Sequence, residues 1–311
     1  TTRAVLDLVE RRWGDHPGDL DGFAEAVTPE QAHQALECFI RDRLPRFGTH
    51  QDALWTGEHE LFHSRLSAVL NLKLLDPRAC IGAAIEAWAD GHAPLNAVEG
   101  FVRQIMGWRE YIRGIYWHHM PDYADGNALA CSDRDVPSFF WDGDTDMACV
   151  ADAMEGVVRL GYAHHIQRLM VLGLFAQLAG VHPYRFHLWH MALYLDAVDW
   201  VSLPNTLGMS QFGDGGIVGT KPYCASGKYL RRQGAPCGAC RYDPDVSTGP
   251  EACPFTTLYW DFLMRHRDRL EEIPRMGFQL RNVDRKSERE RSALRDHAAS
   301  LLDTLDGGGR L

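Results

Sequence analysis

No apolar run in the 311-residue chain is long enough to cross a membrane, and no charged-then-apolar segment opens it. A membrane span and a signal peptide are therefore not expected, and a cytoplasmic setting is. Strand signals are nearly missing as well. No stretch alternates apolar and polar residues for long, and the Asp-Gly pairs beginning at Asp21, Asp90, Asp125, Asp142 and Asp214 punctuate helices and loops rather than hairpins. There is no internal repeat. Positive charge is also scarce: 32 Lys and Arg stand against 42 Asp and Glu, a net charge of −10. A generic phosphate-binding surface is excluded, so any nucleic-acid contact must come from a local basic patch. The chain starts at Thr1 rather than at an initiator Met, which leaves both an excerpt and a naturally short protein open.

What is present is an ordinary globular composition, 45% hydrophobic and 24% charged. A chain of this length allows about two domains and buries roughly 75% of its surface on folding, so it needs no disulfide scaffold. Helical periodicity recurs. Thr28-Pro29-Glu30-Gln31 reads as a cap with Pro at the first helical position, followed by an apolar face at Ala32, Ala35, Leu36 and Phe39. Residues 94–117 give the clearest amphipathic helix, through Val98, Phe101, Ile105, Trp108, Ile112 and Ile115. Further helices are expected over 150–179 and 183–200. Pro, Asp and Gly mark 119–146 as a loop region, and 203–257 as a second one holding four of the cysteines. Asp306 and the three glycines after it read as a frayed tail. The expected fold is all-α, one large helical domain over 1–311.

Eight cysteines stand at 38, 80, 131, 149, 224, 237, 240 and 253. The spacing Cys237-x2-Cys240-x12-Cys253-Pro254 suits thiolate ligation of one metal centre, because two thiolates at i and i+3 grip it and a third closes from beyond a loop. The Cys-Pro ending matches ferredoxin-type runs. Disulfides do not suit a cytosolic chain. Cys149 and Cys224 are the candidates for a fourth ligand, while Cys38 and Cys80 read as core filler. Zinc and a four-iron cluster both suit thiolates.

Tyr162-Ala-His164-His165-Ile-Gln-Arg168 places two imidazoles within one turn of a guanidinium; taken alone, such a pair also fits two hydrogen-bonded core histidines. Together with the runs Ala97–Tyr111, Leu203–Gly216 and Cys253–Phe262, this stretch resembles the iron–sulfur bacterial cryptochromes and photolyases, also called deoxyribodipyrimidine photolyase-related proteins. The resemblance spans about residues 20–270 and covers the helical FAD-binding half. The N-terminal α/β antenna domain of full-length members has no counterpart in this sequence.

The resemblance implies a [4Fe–4S] cluster within about 140–260 on Cys149, Cys237, Cys240 and Cys253, with Cys224 outside it. It implies FAD held by Ser64 and Ser67 at its pyrophosphate, by Trp108 and Arg109, by an Arg168–Asp199 ion pair against the isoalloxazine, and by Asn205 facing flavin N5. Photoreduction would run through Trp189 and Trp141. The implied activity is light-driven repair of pyrimidine–pyrimidone (6-4) photoproducts in UV-damaged DNA, in which photoexcited reduced FAD lends an electron and His165 donates a proton, supported by His164. Tyr223 and Tyr229, among Lys221, Lys228, Arg231 and Arg232, would line the lesion cavity of a monomeric protein. The sequence departs from the family pattern at His190, where a tyrosine is expected, and at Ser202, where some members carry an acid. The alternatives are a cryptochrome-type photoreceptor without repair and a light-independent iron–sulfur nucleic-acid-binding module.

Overall fold

A computed structural model describes residues 1–311, and the chain is helical throughout with no strand; one isolated bridge joins Asp243 and Ala252. No helix is long and apolar enough to cross a membrane. The helices pack around two separate apolar cores. The smaller gathers Leu36, Phe39, Phe47, Cys80, Val98 and Phe101 from the helices Pro29–Cys38, Leu44–His50, Pro77–Ala89 and Leu95–Val102 and from the π-helical turn Phe39–Arg43 between the first two. Phe101 meets Phe39 at 4.7 Å and Phe47 at 6.4 Å between ring centroids. The larger is built on Phe139, Phe140, Phe175, Trp189, Phe255 and Phe262. Oblique and edge-on rings fill it, from Phe140 against Trp189 at 5.0 Å to Phe175 against Phe255 at 5.4 Å.

One helix joins the two cores. Leu95–Val102 passes through a π-helical turn, Arg103–Arg109, into Glu110–His119. Ile105 belongs to the first core and Ile112 to the second. The periodicity expected over 94–117 is thus a single rod, widened by one π turn where it crosses the seam. Two further π turns, Gln167–Gly173 and Pro204–Ser210, face the same seam. Such turns interrupt the regular i→i−4 ladder and recur at functional sites.

Local signals place several ends as expected. Thr28 Oγ1 accepts from Gln31 N at 3.3 Å, and Pro29 follows as the first helical residue. Other boundaries differ. The apolar pattern over 150–179 predicts one helix, but Ala148–Leu160 stops at Gly161, which adopts φ 57°, and the chain stays out of helix through His164 before helix resumes. The two pieces line the same core, so their periodicities run on across the break. The helix expected over 183–200 ends at Leu193 and restarts as Asp199–Leu203. The 203–257 region opens on the π turn and holds the helix Gly227–Arg232. Cys38 is exposed, because it lies about 200° around the helix from the buried Leu36. The tail is not frayed. Leu311 is buried, its carbonyl accepts from Asp146 N at 2.6 Å, and Arg310 pairs with Asp144 and Asp146.

Gly161 is required both by its left-handed backbone and by space, since a Cβ there would lie 2.6 Å from Leu195 Cγ. Gly161→Ala is expected to lower stability by about 1–3 kcal/mol, read as a fall in the urea midpoint at unchanged slope.

Candidate functional site

Between the two cores lies a cavity of about 310 Å³, walled by three of the four π turns. Gln104, Ile105, Trp108 and Arg109 enter from the first, Arg168 and Leu169 from the second, and Asn205, Thr206, Met209 and Ser210 from the third. The loop that carries His63, Ser64, Arg65 and Ser67 closes another side. It is held in an unusual path, with φ 46° at Leu61 and 55° at Arg65, and Arg65 is gripped by Glu60 and Glu25. The lining is apolar on the core sides with a few converging polar groups, the usual character of a small-molecule site, and its volume is near the lower end of such sites.

Arg168 is the central charge. It makes a two-pronged pair with Asp196, at 2.9 and 3.1 Å, and donates from Nε to the Ala163 carbonyl. Its guanidinium lies 4.3 Å over the Tyr194 ring and 5.3 Å from Tyr162. Burial pushes the Asp196 carboxyl up, but the Arg168 charge and hydrogen bonds, with the Ser67 hydroxyl, outweigh it and hold the group below its ordinary value. The expected Arg168–Asp199 pair does not form. Asp199 bonds instead to His187 Nε2 at 3.0 Å and to the Tyr116 hydroxyl, outside the cavity. Asp196 and Asp199 are three residues apart, so a continuous helix over 183–200 puts both on one face and cannot choose between them. The break after Leu193 turns Asp196 inward, where Asn71 Nδ2 holds its carbonyl at 2.7 Å.

Trp108 Nε1 donates to Asn205 Oδ1 at 3.0 Å, and Asn205 Nδ2 donates to the Val201 carbonyl at 2.8 Å. The amide is therefore fixed in orientation with one N–H left to offer. Arg109 stacks 4.5 Å over Trp200. His165 lines the cavity and reaches solvent at its edge. The protein packed around its ring and the Arg168 charge hold its pKa below the ordinary value, while Asp52 opposes them. His164 points away, 1% exposed, and stacks face to face on His63 at 4.7 Å. The break at Gly161 separates the fates of these adjacent histidines.

Trp189 is buried and does not touch the cavity itself. Its ring is 5.7 Å from Tyr194, which does, and 5.0 Å from Phe140. The next residue, Trp141, is 40% exposed. Tyr223 and Tyr229 lie outside the cavity lining. Tyr229 shares with His165 the influence of Asp52, and Leu54 N binds the Gln233 carbonyl at 2.7 Å, so the Asp52 loop and the helix Gly227–Arg232 form one rim. Part of the basic stretch is already neutralised, because Lys228 and Arg231 pair with Asp245 at 2.8 Å each.

A second, much smaller cavity is lined by Cys149, Cys237, Cys240 and Cys253. All four are free thiols. Burial, then the other three sulfurs, push Cys149 up, and burial with Cys253 and Cys240 raises Cys237 to about 11. Cys224 is not among them; burial raises it to about 12, and it lies near Tyr259.

No family model matches the chain. A (6-4) photolyase from Agrobacterium fabrum is 50% identical over 305 residues, which is 98% of this chain and 60% of that protein. Across nearly its whole length the chain is similar to this member of the photolyase/cryptochrome family. It spans about three fifths of the length of this curated relative. Two solved structures share the photolyase/cryptochrome helical fold. A class III photolyase from Agrobacterium tumefaciens matches 89% of this chain and 56% of its own, with a TM-score of 0.57 at 16% identity. A Synechocystis cryptochrome matches 63% and 42%, with a TM-score of 0.51 at 15% identity.

The photolyase/cryptochrome resemblance pointed to Ser64, Ser67, Trp108, Arg109, His165, Arg168 and Asn205, and the fold brings all seven to one cavity. It missed Asp196, Tyr194, Asn71 and His190, which share that cavity, because nothing in local spacing shows where the chain turns after Leu193. Burial holds His63 at about 4 and, with His63 itself, His164 at about 2, against an ordinary 6.5. The folded chain favours the neutral rings, so their contribution to stability is complete above pH 6.5 and is lost as pH falls from there toward 4. His164→Phe is expected to flatten the decline of the urea midpoint between pH 7 and pH 5.

Proposed function

We propose that this chain is the FAD-binding catalytic part of an enzyme that repairs (6-4) photoproducts in UV-damaged DNA with light. The observation that carries the reading is the single cavity in which Trp108, Asn205 and the Arg168–Asp196 pair meet His165 at the mouth. The name of the half-identical Agrobacterium fabrum relative supports the lesion class. The residues present fit a flavin. His190 Nδ1, Tyr194 OH and His63 Nε2 are buried in the lining residues without a protein partner, and such groups call for a polar ligand or water. Ser64, Ser67 and Arg65 would hold its phosphates, Asn205 would offer its free N–H to the ring, and Arg168, its charge balanced by Asp196, would lie against the ring. Bound in reduced form, FAD supplies the light-driven electron. The protein orients the ring and excludes water around it, and His165 hands a proton to a base that has left the stack. Because the free chain disfavours a charged His165, a phosphate arriving at the rim would supply the missing stabilisation.

Trp189 and Trp141 would carry reducing electrons inward, with Tyr194 between Trp189 and the cavity. Lys221 and Arg232 would meet the DNA backbone, beside Tyr223 and Tyr229. We read the protein as a monomer, with an antenna domain as the partner of this helical part in a full-length form.

The thiol cavity fits a [4Fe–4S] cluster. No group of three or more His, Cys, Asp and Glu side chains is set to hold a single metal ion, so the cluster reading rests on the family resemblance and on the four thiols that line one small cavity. Cys149, Cys237, Cys240 and Cys253 would hold such a cluster through their sulfurs. Four thiolates around one space would repel one another, and a cationic centre relieves that repulsion. Such a cluster would pin the segment 237–253 to the helix Ala148–Leu160. Cys240→Ala is then expected to lose iron and soluble protein together; a soluble, iron-free, yellow variant would show the cluster to be dispensable for folding.

A cryptochrome-type receptor is the second reading, favoured by the pairing of Lys228 and Arg231 with Asp245, which thins the surface left for DNA. The deciding experiment is a visible spectrum before and after blue light with a thiol reductant, followed by repair of (6-4)-containing DNA. Flavin bands that bleach, repair in the wild type, and a loss of at least about 10²-fold in His165→Asn at unchanged flavin content are expected. A yellow protein that never repairs favours the receptor, and a colourless one removes the photochemical reading.

A further inference from the structure

Three histidines that the repair chemistry does not use as donors run from the surface to the back of the cavity. His59, 9% exposed, sets Nε2 3.9 Å from the exposed carboxylate of Glu155, and its Nδ1 has no partner. Its ring lies against Gly156, where a Cβ would sit 3.1 Å away. The Tyr162 carbonyl meets the same face of Gly156 as the His59 ring, and two residues on stands His164, neither of whose ring nitrogens is hydrogen-bonded. It stacks on His63, with the planes 7° apart, and His63 lines the cavity with Nε2 also unpartnered.

Four unpaired ring nitrogens in one row are too costly for inert filling, since phenylalanine would fill the same space without stranded polar atoms. Converging buried nitrogens of this kind are where internal waters sit. Rings that stack face to face present their nitrogens at the edges, where water bridges them.

We propose that His59, His164 and His63, joined by internal waters, form a proton path from the Glu155 surface to the cavity. Burial keeps His63 and His164 neutral, so each has one donor and one acceptor nitrogen and passes a proton without storing charge. The charged and titratable groups around the row are Asp152 and Glu155 at its outer end, and Arg43, His165 and Arg168 at its inner end. Each transfer balances. A proton taken from solvent at one nitrogen is matched by one released from the other, leaving each ring neutral in its second tautomer. The path delivers one proton for every two electrons that an external thiol reductant, oxidised to its disulfide, supplies to the cavity, which is the balance for bringing a bound flavin to its singly protonated anionic form. His165, beside the inner end of the row, is left to face the substrate.

The path rests on the flavin-binding reading above, so the test has one arm that needs flavin and one that does not. In the FAD-loaded chain, proton uptake after a blue flash is followed with a pH-indicator dye in weak buffer. His59→Phe is expected to slow uptake at least about tenfold, with flavin absorbance and the initial bleaching unchanged. Uptake at the wild-type rate overturns the path and leaves the flavin reading intact. If His59→Phe does not fold, Glu155→Gln, at the exposed entrance, is measured in its place. In the second arm, high-resolution crystallography of the chain is expected to show waters bonded to both ring nitrogens of His164. Dry nitrogens there overturn the path whether or not flavin binds.

Discussion

Everything at the cavity depends on keeping one guanidinium charged between two apolar cores. Arg168 is acceptable there because Asp196 meets it with two hydrogen bonds, Ala163 takes its Nε, and two tyrosine rings cover its faces. Removing either partner of such a pair would strand the other, at a cost of about 3–5 kcal/mol. The pair also dictates backbone path. Asp196 reaches inward only because the chain leaves helix after Leu193, and Arg168 finds Ala163 only because the chain leaves helix at Gly161. Asn71 then ties the Ser64–Ser67 loop to the same turn.

The π turns have the same logic. A regular helix through 103–109, 167–173 or 204–210 would satisfy every backbone group, yet would close the seam between the cores. Widening each helix by one residue sets Trp108, Arg168 and Asn205 facing one space and leaves both cores intact on either side. The Trp108–Asn205 bond joins two of these turns directly. The thiol cavity lies outside this seam and draws on the 237–253 segment and the start of the helix Ala148–Leu160. There the buried Leu311 and the Arg310 ion pairs cover Asp144 and Asp146.

The helical class, the capped start at Thr28, the long rod through 94–117 and the cysteine spacing were all legible from residue order, because caps, apolar periodicity and ligand spacing are local. The family pattern likewise marked the residues of the 63–67 loop and of the π turns. Three things were not legible. The breaks at Gly161 and Leu193 were hidden because both sides of each break feed the same core, so hydrophobic periodicity continues across them. The choice of Asp196 over Asp199 follows from the second break. The anchoring of the 306–311 tail through its buried last residue, Leu311, depends on Asp144, Asp146 and Thr145 being brought to it from more than 160 residues away. Residue order alone determined which side chains are available to a flavin-type site and a thiolate site. Tertiary packing decided which acid partners Arg168, which of two adjacent histidines faces the cavity, and which cations remain free for a partner, since each turns on contacts between segments far apart in the chain.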